Sequence, residues 1–100
     1  MEEYNVVLFP AAQSDILSIV EHLNALPPEE AELYFEKFIK KTEILKNTPS
    51  ACSLTKDSQL RLRAYRTLAV EDYLLFFVLT ARTVEIRRVL YSKRQYDRLA

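Results

Sequence analysis

Apolar residues change their spacing along the chain, and the spacing predicts the order of secondary structure. The first run, residues 4–9, is short, rich in β-formers and followed by Pro10, which favours a strand. Over residues 11–26 the apolar positions recur every three or four residues, as in an amphipathic helix, until two prolines end the pattern. A second helix is predicted over residues 29–47, with glutamates at its start and lysines toward its end, as the helix dipole prefers.

The second half of the chain predicts a sheet. Residues 49–58 are polar and without a period, so we interpret them as a loop. Three apolar or alternating runs follow at residues 60–68, 73–79 and 84–90, and the breaks between them are too short for crossover helices. We therefore expect three strands in an antiparallel meander. The order β-α-α-β-β-β predicts a single α+β domain, residues 1–100, with a helical hairpin on one face of a mainly antiparallel four-stranded sheet and the opposite face left free.

The alternation within residues 60–68 also predicts a surface feature. If this run is a strand, Arg61 and Arg63 lie on one side together with Tyr65, while the leucines point to the other side. The expected result is a ridge of two arginines on the sheet. In the run over residues 84–90 the alternation is imperfect, so the side that faces the core stays open.

The net charge of zero conceals an asymmetry between the two halves. Residues 1–50 carry nine acids and four bases, a net charge of −5, whereas residues 51–100 carry five acids and ten bases, a net charge of +5. The planar guanidinium fork of arginine suits phosphate and carboxylate groups. Two interpretations remain open, a phosphate-bearing or acidic partner and a solvated rim with scattered ion pairs. Six of the ten bases in the second half are Arg61, Arg63, Arg66, Arg87, Arg88 and Arg94.

Several classes of protein are disfavoured by composition. Cys52 is the only cysteine, which leaves no intrachain disulfide and no thiolate metal cluster, and a chain without glycine has no glycine-rich phosphate loop. We therefore expect no metal or nucleotide cofactor. No apolar run approaches the ~20 residues that span a bilayer, and the start MEEYNVV is acidic, unlike a signal peptide. The sequence predicts a cytoplasmic protein that does not enter a membrane.

Three stretches of the chain resemble the RelE/ParE family of type II toxin–antitoxin toxins. They are Tyr65-Arg66, residues 70–74 (VEDYL) leading into an apolar strand, and residues 84–96 (VEIRRVLYSKRQY). The resemblance covers nearly the whole chain, and it implies the β-α-α-β-β-β fold and a cognate antitoxin as partner. Members of this subgroup usually carry glycine where Ala64 and Ser92 stand, so the chain departs from the family pattern at these two positions.

The resemblance implies two different mechanisms. RelE-like members cut mRNA in the ribosomal A site through attack of the ribose 2′-OH on the adjacent phosphate, which requires a base, a proton donor and cations for the phosphorane charge. ParE-like members instead bind and stall DNA gyrase, which requires a complementary surface and no catalytic pKa. A third interpretation is a catalytically silent module that binds its antitoxin. We expect ribosome-dependent mRNA cleavage slightly ahead of gyrase inhibition, although Leu74 stands where RelE-type strands generally carry arginine.

The candidate site residues follow from the nuclease interpretation. The basic end of the last strand supplies the predicted catalytic groups, with arginines for the phosphate, a lysine as auxiliary cation and tyrosines for proton transfer: Arg88, Tyr91, Lys93, Arg94 and Tyr96. A tyrosine of ordinary pKa, near ~10, is a poor base at neutral pH unless nearby cations favour its phenolate. The predicted RNA- or antitoxin-binding residues are Lys56, Arg61, Arg63 and Arg66.

Overall fold

The computed structural model describes residues 3–92. Two long helices follow a short first strand, and three further strands follow a short third helix. Pro10 and Pro28 each stand at the start of a long helix, where the missing proline N–H costs no intrahelical hydrogen bond. The elements are β1 (Asn5–Leu8), α1 (Pro10–Asn24), α2 (Pro28–Asn47), a 3-10 turn (Pro49–Ala51), α3 (Ser58–Leu62), β2 (Arg66–Val70), β3 (Tyr73–Thr80) and β4 (Thr83–Tyr91).

The four strands form one sheet in the order β1-β4-β3-β2. β2 pairs with β3 and β3 pairs with β4, both antiparallel, so the predicted meander is confirmed. β1 pairs with β4 in parallel, because the helical hairpin returns the chain to the end at which β1 began. The predicted α+β fold, with two helices packed on a mainly antiparallel sheet, is therefore confirmed.

The main core lies between the two long helices and one face of the sheet. Alternate residues of the central strand β3 point into it, as the pleat of a strand requires. Phe77 is fully buried there, and the ring of Phe38 on α2 lies 6.0 Å from that of Tyr73. The other buried apolar residues of this core include Ala12, Ile19, Leu23, Leu45, Val70, Leu75, Val84, Ile86 and Val89.

The predicted strand over residues 60–68 is wrong in its first half. That half is the helix α3, because the Asp57 carboxylate accepts a hydrogen bond from the backbone N–H of Leu60 at 3.0 Å and caps the first turn. Only from Arg66 does the chain enter β2. Arg61 therefore lies on a short helix, and no ridge of two arginines forms on the sheet.

The face of the sheet opposite the two long helices, here called the far face, is not left free as predicted. Leu60 of α3 is 2% exposed and Tyr65 is 6% exposed, and both pack against Phe76 and Leu90 of the sheet. This second, smaller core forms because the α3 segment folds back over β3 and β4. The prediction missed it because it placed the same residues within a strand.

A β-bulge explains the imperfect alternation of the last strand. Phe77 pairs with Ile86, but its neighbour Phe76 pairs with Arg88, so Arg87 is an extra residue in β4. The bulge shifts the alternation by one position, and Val89 consequently joins the main core. The open question of which side of β4 faces the helices is thereby answered.

Within residues 3–92, the backbone enters the left-handed φ region at three residues that are not glycine. Ala64 has φ 62° just after α3, while Glu71 and Ala81 have φ 53° in the two hairpin turns of the meander. A Cβ atom makes this region unfavourable, and glycine is the residue that enters it without cost. Ala64 therefore holds local backbone strain, at a position where the family that the sequence resembles usually has glycine.

Candidate functional site

The end of β4 is joined to α1 by an ion pair. Arg88 donates from Nε to Asp15 Oδ2 at 2.7 Å and from Nη2 to Asp15 Oδ1 at 2.9 Å, a two-pronged contact. Asp15 Oδ2 also accepts a hydrogen bond from the backbone N–H of Val89 at 2.9 Å. The Arg88 side chain is 30% exposed and that of Asp15 only 13%. The hydrogen bonding of Arg88 to Asp15 raises the pKa of Arg88 further. The predicted phosphate-binding cation is therefore charged, and its charge is already paired with a carboxylate of the same chain.

A second arginine of β4 lies on the far face. Arg87 Nη2 donates to Glu85 Oε1 at 2.7 Å, and its guanidinium carbon stands 4.3 Å from the centre of the Phe9 ring. Tyr65 borders the same guanidinium, with its ring centre 5.9 Å away. The Arg87 Nε atom is buried and has no hydrogen-bond partner among the described residues. Stacking on aromatic rings and pairing with a carboxylate make Arg87 a packed residue of the far face.

A groove opens between α1, the first half of α2 and the end of β4. It has a volume of about 560 Å³. Three tyrosines from different elements line it, and we call it the tyrosine groove after Tyr34, Tyr73 and Tyr91. Its apolar wall includes Leu23 and Val89, which belong to the main core. The groove thus combines an apolar wall with phenol and carboxylate groups.

The surroundings of two groove tyrosines, Tyr34 and Tyr73, favour the protonated phenol. Tyr34 donates its O–H to Asp72 Oδ2 at 3.0 Å, and this hydrogen bond, more than burial, raises the pKa of Tyr34. Burial, reinforced by the negative charge of Asp72, raises the pKa of Tyr73. Tyr91 is 41% exposed and packs edge-on against Tyr73, with 6.0 Å between the ring centres. A base requires the opposite shift, toward phenolate, so neither Tyr34 nor Tyr73 is suited to that role.

The residues predicted to bind RNA or antitoxin divide into two groups. Lys56, Arg61 and Arg63 are exposed and lie before α3, within it and directly after it, respectively. Arg66 instead lies along β2, partly buried, and donates from Nη1 to the backbone carbonyl of Cys52, with a longer contact to that of Ser50. Arg66 thereby ties the 3-10 turn region to the sheet, and the exposed members of the predicted binding set lie on α3 or next to it.

Only part of the predicted catalytic set can be located. Arg88 and Tyr91 lie on β4, at its end beside α1 and the groove. Lys93, Arg94 and Tyr96 lie outside the described residues. Among residues 3–92 no three side chains of His, Cys, Asp or Glu stand together as a metal site. In the same part of the chain no helix is long and apolar enough to cross a membrane.

The sequence did not identify Asp15 as a site residue. It stands 73 residues before Arg88 in the chain, and no local spacing connects the two. The pairing of Glu85 with Arg87 could have been predicted from the sequence, because residues two apart on a strand share a face. The stacking of Phe9 on Arg87 could not have been predicted in this way, because it depends on the parallel pairing of β1 with β4.

Comparison with known proteins agrees with this architecture. The sequence profile of a family described as "ParE toxin of type II toxin-antitoxin system, parDE" matches residues 6–96. None of the curated proteins matches the sequence. Among solved structures, a chain from the "Chromosomal ParDE TA system from P. aeruginosa" superposes with a TM-score of 0.66 at 16% identity, covering 90% of this chain and 97% of that chain. At that identity the superposition establishes the fold, while the profile, which spans most of the sequence, establishes the family. The chain therefore belongs to the ParE toxin family of type II toxin–antitoxin systems.

Proposed function

We propose that this ParE-family toxin arrests growth by binding DNA gyrase, and that it does not cut mRNA. The observation that carries the proposal is the two-pronged pair between Arg88 and Asp15. Arg88 was the predicted phosphate-binding cation within the described part of β4, and its charge is directed at a carboxylate of the same chain. The match to the ParE family over residues 6–96 supports the same choice between the two mechanisms.

The Arg88–Asp15 pair disfavours binding of an RNA phosphate. A phosphate approaching Arg88 would have to displace Asp15 or bind beside it, and the two anions would repel each other. Asp15 is also held in place by the backbone N–H of Val89, so its displacement would break a further hydrogen bond. The pair therefore supports a structural role for Arg88 over stabilisation of a phosphorane.

Two tyrosines beside the end of β4, Tyr34 and Tyr73, are unsuited to act as the base of a nuclease. Cleavage through the 2′-OH requires a group that accepts a proton near neutral pH. The pKa values of Tyr34 and Tyr73 are instead raised, which favours the protonated phenol. A toxin that acts by occupying a surface on its target has no such requirement.

The exposed basic segment supplies a surface suited to binding. Arg61 and Arg63 flank Leu62 in sequence, Lys56 lies just before the same helix, and the side chain of Leu62 is 88% exposed. Cations around an apolar residue fit an acidic protein segment, because charge guides the encounter and the apolar contact slows dissociation. We assign this surface to the cognate antitoxin, the partner that membership of a type II system implies.

A pair of assays on one preparation tests the proposed target. Toxin made by cell-free synthesis is added to purified gyrase with relaxed plasmid, and separately to ribosomes programmed with mRNA. We expect loss of supercoiling that cognate antitoxin reverses, and intact A-site codons on primer extension. Cut codons together with undiminished supercoiling would overturn the proposal and return the basic end of the last strand, with Arg94 and Tyr96, to a catalytic role.

A further inference from the structure

The tyrosine groove has an apolar wall and an acidic rim. Carboxylates of α1, α2 and the β2–β3 turn reach it, from Asp15, Glu30 and Asp72. Asp15 is already paired with Arg88, whereas Asp72 accepts a hydrogen bond from the phenol of Tyr34. Glu30 is exposed. The groove, of about 560 Å³, therefore offers two carboxylates, Glu30 and Asp72, beside its apolar wall.

The opposite features meet on α3. Leu62 is 88% exposed, and its neighbours in sequence, Arg61 and Arg63, are exposed as well. We call these three residues the arginine knob. Its helix is anchored by Leu60 on the far face of the sheet, whereas the groove lies beside the helical hairpin. The knob therefore does not fill the groove of its own chain.

We propose that the arginine knob of one molecule inserts into the tyrosine groove of a second copy of the same chain. Leu62 would enter the apolar part of the groove, and the guanidiniums of Arg61 and Arg63 would reach the rim carboxylates in charge-assisted hydrogen bonds. Because the net charge of the chain is zero, two copies are not kept apart by overall repulsion.

The contact is head-to-tail, since the knob and the groove are different surfaces. Such contacts build rings when the rotation closes and open chains when it does not. One leucine and two arginines form a small contact compared with the roughly 1,200–2,000 Å² buried in stable complexes, so the association is weak and depends on concentration. The contact also covers Arg61 and Arg63, so the antitoxin and a second copy of the chain compete for these two residues. That competition rests on the proposed antitoxin surface, whereas the self-association does not.

Sedimentation velocity on the full chain, made by cell-free synthesis, tests the contact without reference to gyrase or antitoxin. We expect the weight-average sedimentation coefficient to rise with protein concentration, and to rise less at high salt because the rim pairs are screened. A chain that stays monomeric up to near-millimolar concentration at low salt overturns the proposal.

Two exposed leucines provide a matched pair of variants. Leu62→Ser removes the apolar part of the knob, whereas Leu17→Ser alters a leucine on α1 that is 66% exposed and does not line the groove. Both side chains are in water in the monomer, so both variants should fold. Leu62→Ser should weaken association roughly tenfold or more, and Leu17→Ser should not change it. Equal effects of the two substitutions would contradict the proposal.

Charge exchange provides a test in which association is restored. Arg61→Glu with Arg63→Glu reverses the knob, and Glu30→Lys with Asp72→Lys reverses the rim, so each double variant alone should be monomeric. When the two are mixed, the acidic knob faces the basic rim and the native knob faces the native rim, and association should return. Circular dichroism first establishes that both variants are folded. A mixture of folded variants that remains monomeric would place any self-association elsewhere.

Discussion

The carboxylate of Asp15 on α1 binds the guanidinium of Arg88 on β4 at 2.7 and 2.9 Å, across 73 residues of sequence. The last residue of β1 pairs with Ile86, so β4 runs on beyond its parallel partner. Beyond the end of β1, the Asp15 carboxylate accepts a hydrogen bond from the backbone N–H of Val89. This hydrogen bond takes the place of one that a longer β1 would have made with β4. The ion pair thus attaches α1 to the part of β4 that β1 does not reach.

Removing the charge of Asp15 should destabilise the fold. In Asp15→Asn the amide cannot accept the same three hydrogen bonds, and a partly buried Arg88 loses its counter-ion. We expect a loss of roughly 1–3 kcal/mol in the free energy of unfolding, below the value for a fully buried pair because Arg88 keeps contact with water. Urea denaturation measures it. Glu21→Gln, at an exposed position of the same helix, is the matched control and should change stability little.

Relief of backbone strain should have the opposite effect. Ala64→Gly places glycine at φ 62°, and the strain removed should exceed the entropy that glycine adds to the unfolded chain, for a gain of roughly 0.5–1 kcal/mol. Ala31→Gly, within α2, should instead cost about 1 kcal/mol. Thermal unfolding of both variants gives the comparison. A lower melting temperature for Ala64→Gly would show that the alanine methyl group contributes packing that outweighs the strain.

The raised pKa of Tyr73 predicts how stability depends on alkaline pH. Burial, with the charge of Asp72, raises the folded-state pKa above the unfolded value near ~10, so the folded state retains the proton longer. The contribution of this tyrosine is complete below the unfolded pKa and is lost as pH rises through the folded pKa. The free energy of unfolding should therefore fall above about pH 10. In Tyr73→Phe the decline should be shallower, as measured by urea denaturation between neutral and alkaline pH.

The basic surface of α3 should dominate recognition of the antitoxin. Arg61→Glu with Arg63→Glu reverses two exposed charges and should weaken the toxin–antitoxin complex, most strongly at low salt. Lys40→Glu with Lys46→Glu makes the same change in net charge on exposed positions of α2 and is the control. Calorimetric titration at two salt concentrations measures both. An affinity that responds equally to the two pairs would indicate only an effect of net charge.

The end of the chain distinguishes binding from catalysis. Under the proposed function, Arg94→Ala should lower toxicity only in part, through affinity, and Tyr96→Phe should have almost no effect. In a nuclease each change would abolish growth arrest, because a cation and a proton carrier act mainly in the transition state. Growth curves after induction, with antitoxin binding as a check on folding, separate the two patterns. Loss of toxicity in Tyr96→Phe alone would argue for proton transfer.

Local spacing in the sequence determined the elements whose pattern matches one structure only. The helix predicted over residues 29–47 is observed as Pro28–Asn47, and the strand predicted over residues 73–79 as Tyr73–Thr80. A stripe along a long helix, or an apolar run between short turns, leaves few alternatives. Short breaks between strands likewise determined the meander, since nothing but a hairpin fits them.

Tertiary structure decided the features that the local pattern could not. The run Leu60-Arg61-Leu62-Arg63 suits a strand by alternation, yet it forms a helix because Asp57 caps it and Leu60 is buried on the far face. The orientation of Arg88 was settled by the bulge in β4 and by a carboxylate 73 residues away. Period and propensity act over a few residues, whereas burial and ion pairing depend on which distant segments the fold brings together. For that reason the sequence alone determined the family and the order of most elements, and only the folded chain could decide that Arg88 binds Asp15.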